Sequence, residues 1–272
     1  MVFVKFASVI KAIFLDIDGT LVSFKTHRIP SSALSALKKA HDKGVAVFIA
    51  TGRPWVLIDN LSQMQDLGII DGYVTMNGAF CFNEQGVIYE QPMDPGEVRD
   101  MWDYSTSLGR SCIVVRRHDI CLNCDTEPLD KIFRRGLGVS VPMPVLPMKE
   151  AILSEPVYQL TPFITQAEAQ EIGPRLRNSA LTRWHPEFVD VTHKDCSKQM
   201  GIDQMIRSKG ILLSQTMAIG DGGNDISMIR HAAVGVAMGN AATEDVRQAA
   251  DYVTSHVDED GIKNALIHYG II

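Results

Sequence analysis

Apolar residues in this chain come in short unbroken runs separated by stretches of helical spacing. The runs at 12–15, 45–50 and 73–76 have the length and continuity of strands covered on both faces. After the first, Pro30-Ser31-Ser32 opens a segment with apolar Ala33, Leu34, Leu37 and Ala40, and Gly44 ends it, which predicts an amphipathic helix. After the second, Pro54 stands near the start of a predicted helix carrying Val56, Leu57, Leu61 and Met64. Asn77-Gly78 halts the third. Strand and helix alternating at this spacing predict a parallel sheet with right-handed crossovers.

From about 85 to 184 the texture changes. Nine prolines fall in this segment, and strand candidates at 112–117, 120–124 and 157–161 mix with helix candidates at 95–108 and 166–178. We read it as an inserted α+β domain. The earlier rhythm resumes at 188–191, 217–220, 234–237 and 252–254, four strands expected to rejoin the first sheet. The predicted fold is therefore α/β: a Rossmann-like, doubly wound parallel core from 1–84 and 185–272, with the 85–184 domain inserted. No internal repeat or low-complexity segment stands out.

Composition narrows the function classes. The 272 residues carry a formal charge of -6, with 46% hydrophobic and 21% charged residues, as in ordinary globular proteins. No basic excess recruits nucleic acid or an anionic membrane. No apolar run approaches the ~20 residues of a membrane span. The apolar opening, Met1 to Phe6, is broken by Lys5 and reads as fold, not as a signal peptide. The cysteines are odd in number, and Cys121-x-x-Cys124 has no second pair or histidine set. Strand cysteines are the simpler reading, and a reducing, cytoplasmic setting fits. The eight histidines are dispersed. No Gly-x-Ser-x-Gly elbow is present.

Candidate chemistry sits where strands end, the usual ligand position in open α/β sheets. Asp16-Ile17-Asp18-Gly19-Thr20 follows the first run. Residues two apart on a strand point the same way, so Asp16 and Asp18 are expected to face one crevice. Two such charges together call for a cation or a shared proton. Thr51-Gly52-Arg53 offers a hydroxyl and free N–H groups to a phosphate oxygen. Gly220-Asp221-Gly222-Gly223-Asn224-Asp225 combines sharp turns with oxygen ligands suited to Mg²⁺, although Asp225 is also a candidate helix N-cap. Lys198, at a helix start near Ser197, can neutralise phosphate charge. Lys194 competes with it on spacing alone.

These four motifs, in this order, resemble those of the haloacid dehalogenase (HAD) superfamily, most closely its Cof-type phosphatases. The insertion between the second and third motifs is similar to their type IIB cap. The resemblance spans essentially the whole chain and implies a set of roles. Asp16 would be the nucleophile that forms an aspartyl-phosphate, and Asp18 the general acid and base. Mg²⁺ would be held by Asp16, the backbone carbonyl of Asp18, and Asp221. Ile17, Thr51, Gly52, Lys198 and Asn224 would hold the phosphoryl group, with Asp225 supporting the loop. The implied activity is hydrolysis of a small phosphorylated metabolite, a hexose phosphate first, by a monomer or weak homo-oligomer. A phosphoryl mutase with the same nucleophile is the alternative enzyme. A receiver-like phospho-acceptor module is the non-enzymatic one.

Overall fold

The Ala12–Leu15 strand has no polar side chain, and all four of its residues are buried. A computed structural model of the chain describes residues 9–136, 139–152 and 154–272, apart from the Trp184 side chain, so the expectation for 1–6 lies outside the described residues. In chain order the strands are β1 (Ala12–Leu15), β2 (Ala46–Ala50), β3 (Gly72–Thr75), β4 (Phe80–Asn83), β5 (Gly86–Glu90), β6 (Cys112–Arg116) and β7 (Ile120–Leu122). They continue as β8 (Val157–Pro162), β9 (Ser179–His185), β10 (Phe188–His193), β11 (Thr216–Gly220), β12 (Val234–Ala237) and β13 (Tyr252–Val253).

The chain divides into two compact units. One comprises the residues through Gly52, Asp59–Tyr89 and Ser197–Ile272. Its sheet runs β13-β12-β11-β1-β2-β3-β4-β5, parallel from β13 to β3 and antiparallel at β4. The chain winds outward from β1 on one side through β2 and β3, and on the other through β11 and β12. The carboxyl end of β1 is thus the point where strand order reverses, and crevices open there. Right-handed crossovers on opposite sides of such a point cover opposite faces. Ala12 and Phe14 join a buried cluster with Ile202, Met205 and Met228 from the Lys198–Lys209 and Ile226–His231 helices. Ile13 and Leu15 alternate to the other face, where the Ser31–Asp42 helix packs with Gly261–His268.

The other unit comprises Arg53–Ile58 and Glu90–Cys196. Its antiparallel sheet has the order β7-β6-β8-β10-β9. One face carries Cys112, Val114, Leu160, Val189 and Val191 into a cluster with Val98, Met101 and Trp102 of the Pro95–Ser107 helix and Ala169 and Ile172 of Gln166–Ile172. Asp94 caps the first of these helices and a Thr165–Glu168 capping box the second.

Three expectations are corrected. The 188–191 run does not rejoin the parallel sheet: as β10 it pairs antiparallel with β8 and β9, so the second unit extends past residue 184 to Cys196. Its partner β9 is rich in polar residues and carries no apolar run to announce it, and a short run cannot name the sheet it joins. The helix expected after Pro54 is only a 3-10 turn at Trp55–Leu57 and a short helix at Ser62–Asp66. Val56 and Leu57 belong to one compact unit, Leu61 and Met64 to the other, so no single helix face serves both. The 166–178 helix ends at Ile172, where Gly173-Pro174 begins a 3-10 turn.

Cys121 is a free, buried strand cysteine, and Cys124, also free, lies just past that strand. Burial pushes the Cys121 thiol up to about 11. Among the described residues no helix is long and apolar enough to cross a membrane.

Candidate active site

β1 ends at Leu15, and the backbone then coils: the Ile17 carbonyl accepts both the Leu21 and the Val22 N–H, and Gly19 N–H donates to Val22 O. Asp16 and Asp18 therefore sit on a turn, not on the continued strand that the spacing suggested. Burial does most to raise the Asp16 pKa, and Asp18 is the smallest of the charges that add to it. Ile17 is fully buried and Asp18 half-buried. Gly19 holds φ +85°, and a Cβ there would lie 2.3 Å from Asp221 Oδ2. Only glycine lets the loops after β1 and β11 approach this closely. Thr20 Oγ1 donates to Asp221 Oδ1 at 2.7 Å, and Asn240 Nδ2 donates to Gly19 O at 2.7 Å.

Lys198 starts its helix behind the Ser197 N-cap, whose hydroxyl accepts the Met200 N–H. Its side chain is fully buried, with Nζ 2.6 Å from Asp16 Oδ1 and 2.5 Å from Asp225 Oδ1. Burial by itself would push this ammonium pKa down; the two carboxylates outweigh it and hold the lysine charged. Lys194, the competitor on spacing, is directed elsewhere, donating to Arg177 O.

Asp225 is committed on both oxygens. Oδ1 takes Lys198, and Oδ2 accepts the backbone N–H groups of Asp221 and Gly222. It does not cap the following helix with its side chain, as one reading of the sequence had it; it reaches back and fixes the loop. Asp16, Asp221 and Asp225 each offer an oxygen within 4.8 Å of the others, all buried. Burial is the main reason that the Asp16 pKa lies well above its usual range, with Asp225 adding to it and Lys198 opposing. Burial likewise takes Asp221 up to about 7, against the Thr20 hydrogen bond. Fully ionised, these three carboxylates and one ammonium sum to a formal charge of -2, which one divalent cation would balance. The oxygen-only donor set suits a hard ion.

Thr51, buried, follows β2, its N–H bonded to Val74 O. Gly52 lies between two amides: a Cβ on it would stand 3.2 Å from Asn77 Nδ2 and 3.5 Å from Asn224 Nδ2. Asn224 Nδ2 donates to Asn77 Oδ1 at 3.1 Å. The sequence reading gave Thr20, Asn77 and Asn240 no role. Their contributions are contacts to loops up to 221 residues away, which spacing cannot show. The one available signal was that Thr20 closes the motif of the acidic pair, one glycine after Asp18. All nine residues singled out on the catalytic reading belong to the same unit, after β1, β2 and β11 and at the Lys198 helix start.

Known proteins are similar to this chain over nearly its whole length. YkrA of Bacillus subtilis, whose name provisionally assigns it as a phosphatase, is 31% identical over 278 residues, covering 96% of this chain and 98% of that one. The 5-amino-6-(5-phospho-D-ribitylamino)uracil phosphatase YcsE of the same organism is 27% identical over 261 residues, 96% of each chain. Among solved structures, the HAD subclass IIB sugar phosphatase BT4131 superposes with a TM-score of 0.90 at 53% identity, covering 96% of this chain and all of the other. Another, described as showing a trigonal-bipyramidal intermediate in a phosphoryl-transfer superfamily, reaches a TM-score of 0.91 at 52% identity, over 97% of this chain and 100% of that one. A family model for haloacid dehalogenase-like hydrolases matches residues 13–266, and the chain belongs to that family as an enzyme of its phosphatase type.

Proposed function

We propose that this enzyme is a Mg²⁺-dependent phosphatase of small sugar phosphates, hexose phosphates first, working through an aspartyl-phosphate on Asp16. The observation that carries the reading is the buried cluster itself, in which Lys198 bridges Asp16 and Asp225 while Thr20 and Gly19 hold Asp221 beside them. A structure with 53% identity is a sugar phosphatase, which supports the substrate class.

Asp16 and Asp221 would hold the cation with the backbone carbonyl of Asp18, since both Asp225 oxygens are engaged elsewhere. When bound, the ion shields phosphoryl charge from the anionic nucleophile. An Asp16 oxygen attacks phosphorus as the bond to the sugar oxygen breaks, and Asp18 gives that oxygen its proton. A water then attacks the phosphorus of the aspartyl-phosphate, losing its proton to Asp18. The bond to Asp16 breaks and inorganic phosphate leaves. Lys198, Thr51, Asn224 and the Ile17 and Gly52 amides hold the equatorial oxygens as charge spreads over them. Asp225 keeps the loop and the lysine in place.

The test is a panel of phosphate esters with Mg²⁺, with EDTA, and with Asp16→Asn. Phosphate release that needs Mg²⁺, is lost in Asp16→Asn and is fastest on hexose phosphates is the expected result. An isomerised sugar phosphate without net phosphate release would make the enzyme a mutase. No turnover of any ester would end the reading.

A further inference from the structure

Asn77 has no place in the roles above, yet the turn that carries it touches three of the four motif loops. Met76, Asn77 and Gly78, directly after β3, have φ of 50°, 52° and 96°, three consecutive left-handed residues. For methionine that is a rare conformation; asparagine and glycine adopt it far more readily. The turn persists because its surroundings hold it. Asn77 N–H donates to Thr51 O at 3.0 Å. Gly78 abuts the residue before Lys198 so closely that a Cβ would lie 2.2 Å from Ser197 O. The Asn77 side chain lies against Gly52 and accepts the Asn224 amide at 3.1 Å.

This last bond decides which way Asn224 faces. Its Nδ2 is drawn toward Asn77 and Gly52, while its Oδ1 lies over Gly222, 2.7 Å from where a Cβ on that glycine would stand. An amide carries two N–H donors at one end and only an acceptor at the other. With one N–H on Asn77, the second remains to meet a phosphoryl oxygen. Flipped, the same side chain would present a lone pair to an anion.

We propose that Asn77 is a positioning residue: by accepting from Nδ2 it locks the donor end of Asn224 toward the phosphoryl group and sets that amide beside Gly52. The proposal rests on the phosphatase reading of Asn224 and Gly52, and deepens it.

The test is a double-mutant cycle of Asn77→Gly and Asn224→Ala. Glycine accepts the left-handed backbone of residue 77, so only the side chain is lost. Three quantities are read for each variant: kcat and KM on the best ester, the Kd of inorganic phosphate by calorimetry with Mg²⁺ present, and the thermal midpoint. Asn77→Gly should weaken phosphate binding and lower kcat/KM by about 10- to 100-fold, as losing one oriented donor to an anion does, with the midpoint little changed. In the Asn224→Ala background the same change should cost less than about threefold, since residues acting as one unit are not additive.

Full additivity in the cycle would overturn the proposal, because Asn77 would then act on something other than Asn224. So would an Asn77→Gly enzyme within twofold of wild type. A wild-type protein that binds phosphate with the predicted coupling but turns over no ester would sink the phosphatase reading and leave the positioning role standing.

Discussion

Lys198 carries the charge balance of the buried site. It is the cation that Asp16 and Asp225 share, and removing one partner of a buried ion pair costs about 3–5 kcal/mol because the others are left uncompensated. Lys198→Met should therefore lower the unfolding free energy measured in urea by that amount in metal-free protein. Asp16→Asn takes away one of three crowded carboxylates and leaves the lysine its partner on Asp225. It should keep or raise stability while abolishing phosphate release. Opposite signs on stability with shared loss of activity would separate a charge-balance role from the nucleophile; a lysine variant as stable as wild type would contradict the first. At this scale the sequence was readable where a motif is contiguous. Asp16, Asp18, Thr51, Gly52, Asp221, Asn224 and Asp225 could be named because each stands beside a glycine turn at a strand end. Lys198 stood alone, and spacing could not tell it from Lys194; the resemblance chose it, and burial beside Asp16 and Asp225 separates the two. Thr20, Asn77 and Asn240 were illegible, since what they do is touch another loop.

The elements that frame the site depend on close backbone approach. The Lys198 helix crosses β3 at Gly201, where a Cβ would stand 2.2 Å from Val74 Cγ1. Valine is stiff at χ1 and fully buried here, so it cannot swing aside. Gly201→Ala should gain about 1 kcal/mol of helix propensity and lose about 1–3 kcal/mol to overpacking, for a net destabilisation. Val74→Ala costs stability of its own, but in that background Gly201→Ala should no longer destabilise, giving a coupling of at least about 1 kcal/mol in a denaturation cycle. A Gly201→Ala protein more stable than wild type would show that the helix stands off the sheet. The strands β1, β2, β3, β11 and β12 were legible as apolar runs, because parallel strands are buried on both faces. β4 and β5 were not foreseen. Their apolar runs, 79–82 and 87–89, are short, and toward the sheet edge their residues become half-buried and exposed, so neither alternates with a helix as the other strands do. β10 was seen but set in the wrong sheet, because its alternating Val189 and Val191 say which face is buried and nothing about the neighbour.

At the scale of the whole molecule, chain order and spatial order disagree most in the unit that holds the site. β1 pairs with β11 through Ala12 and Thr216, 204 residues apart, whereas β8 and β10 pair through Gln159 and Thr192, 33 residues apart. Closing the longer loop costs about 1.5 kcal/mol more in chain entropy, and non-local pairing slows folding further. The second sheet lies wholly within 112–193, so its pairings can form without waiting for either end of the chain. Once that segment condenses, the loop between β1 and β11 is effectively shorter. In refolding followed by pulsed hydrogen exchange, amides of β6, β8 and β10 should gain protection before Asp16 N–H, which bonds to Ile219 O, and before the β1–β11 ladder. The reverse order, or simultaneous protection of both sheets in one exponential phase, would show that loop closure does not limit assembly. The consequence for function is direct. Asp16 and Asp221 reach their places only when that ladder zips, so recovery of phosphate release should track protection of β1 and β11 and lag behind that of β8 and β10.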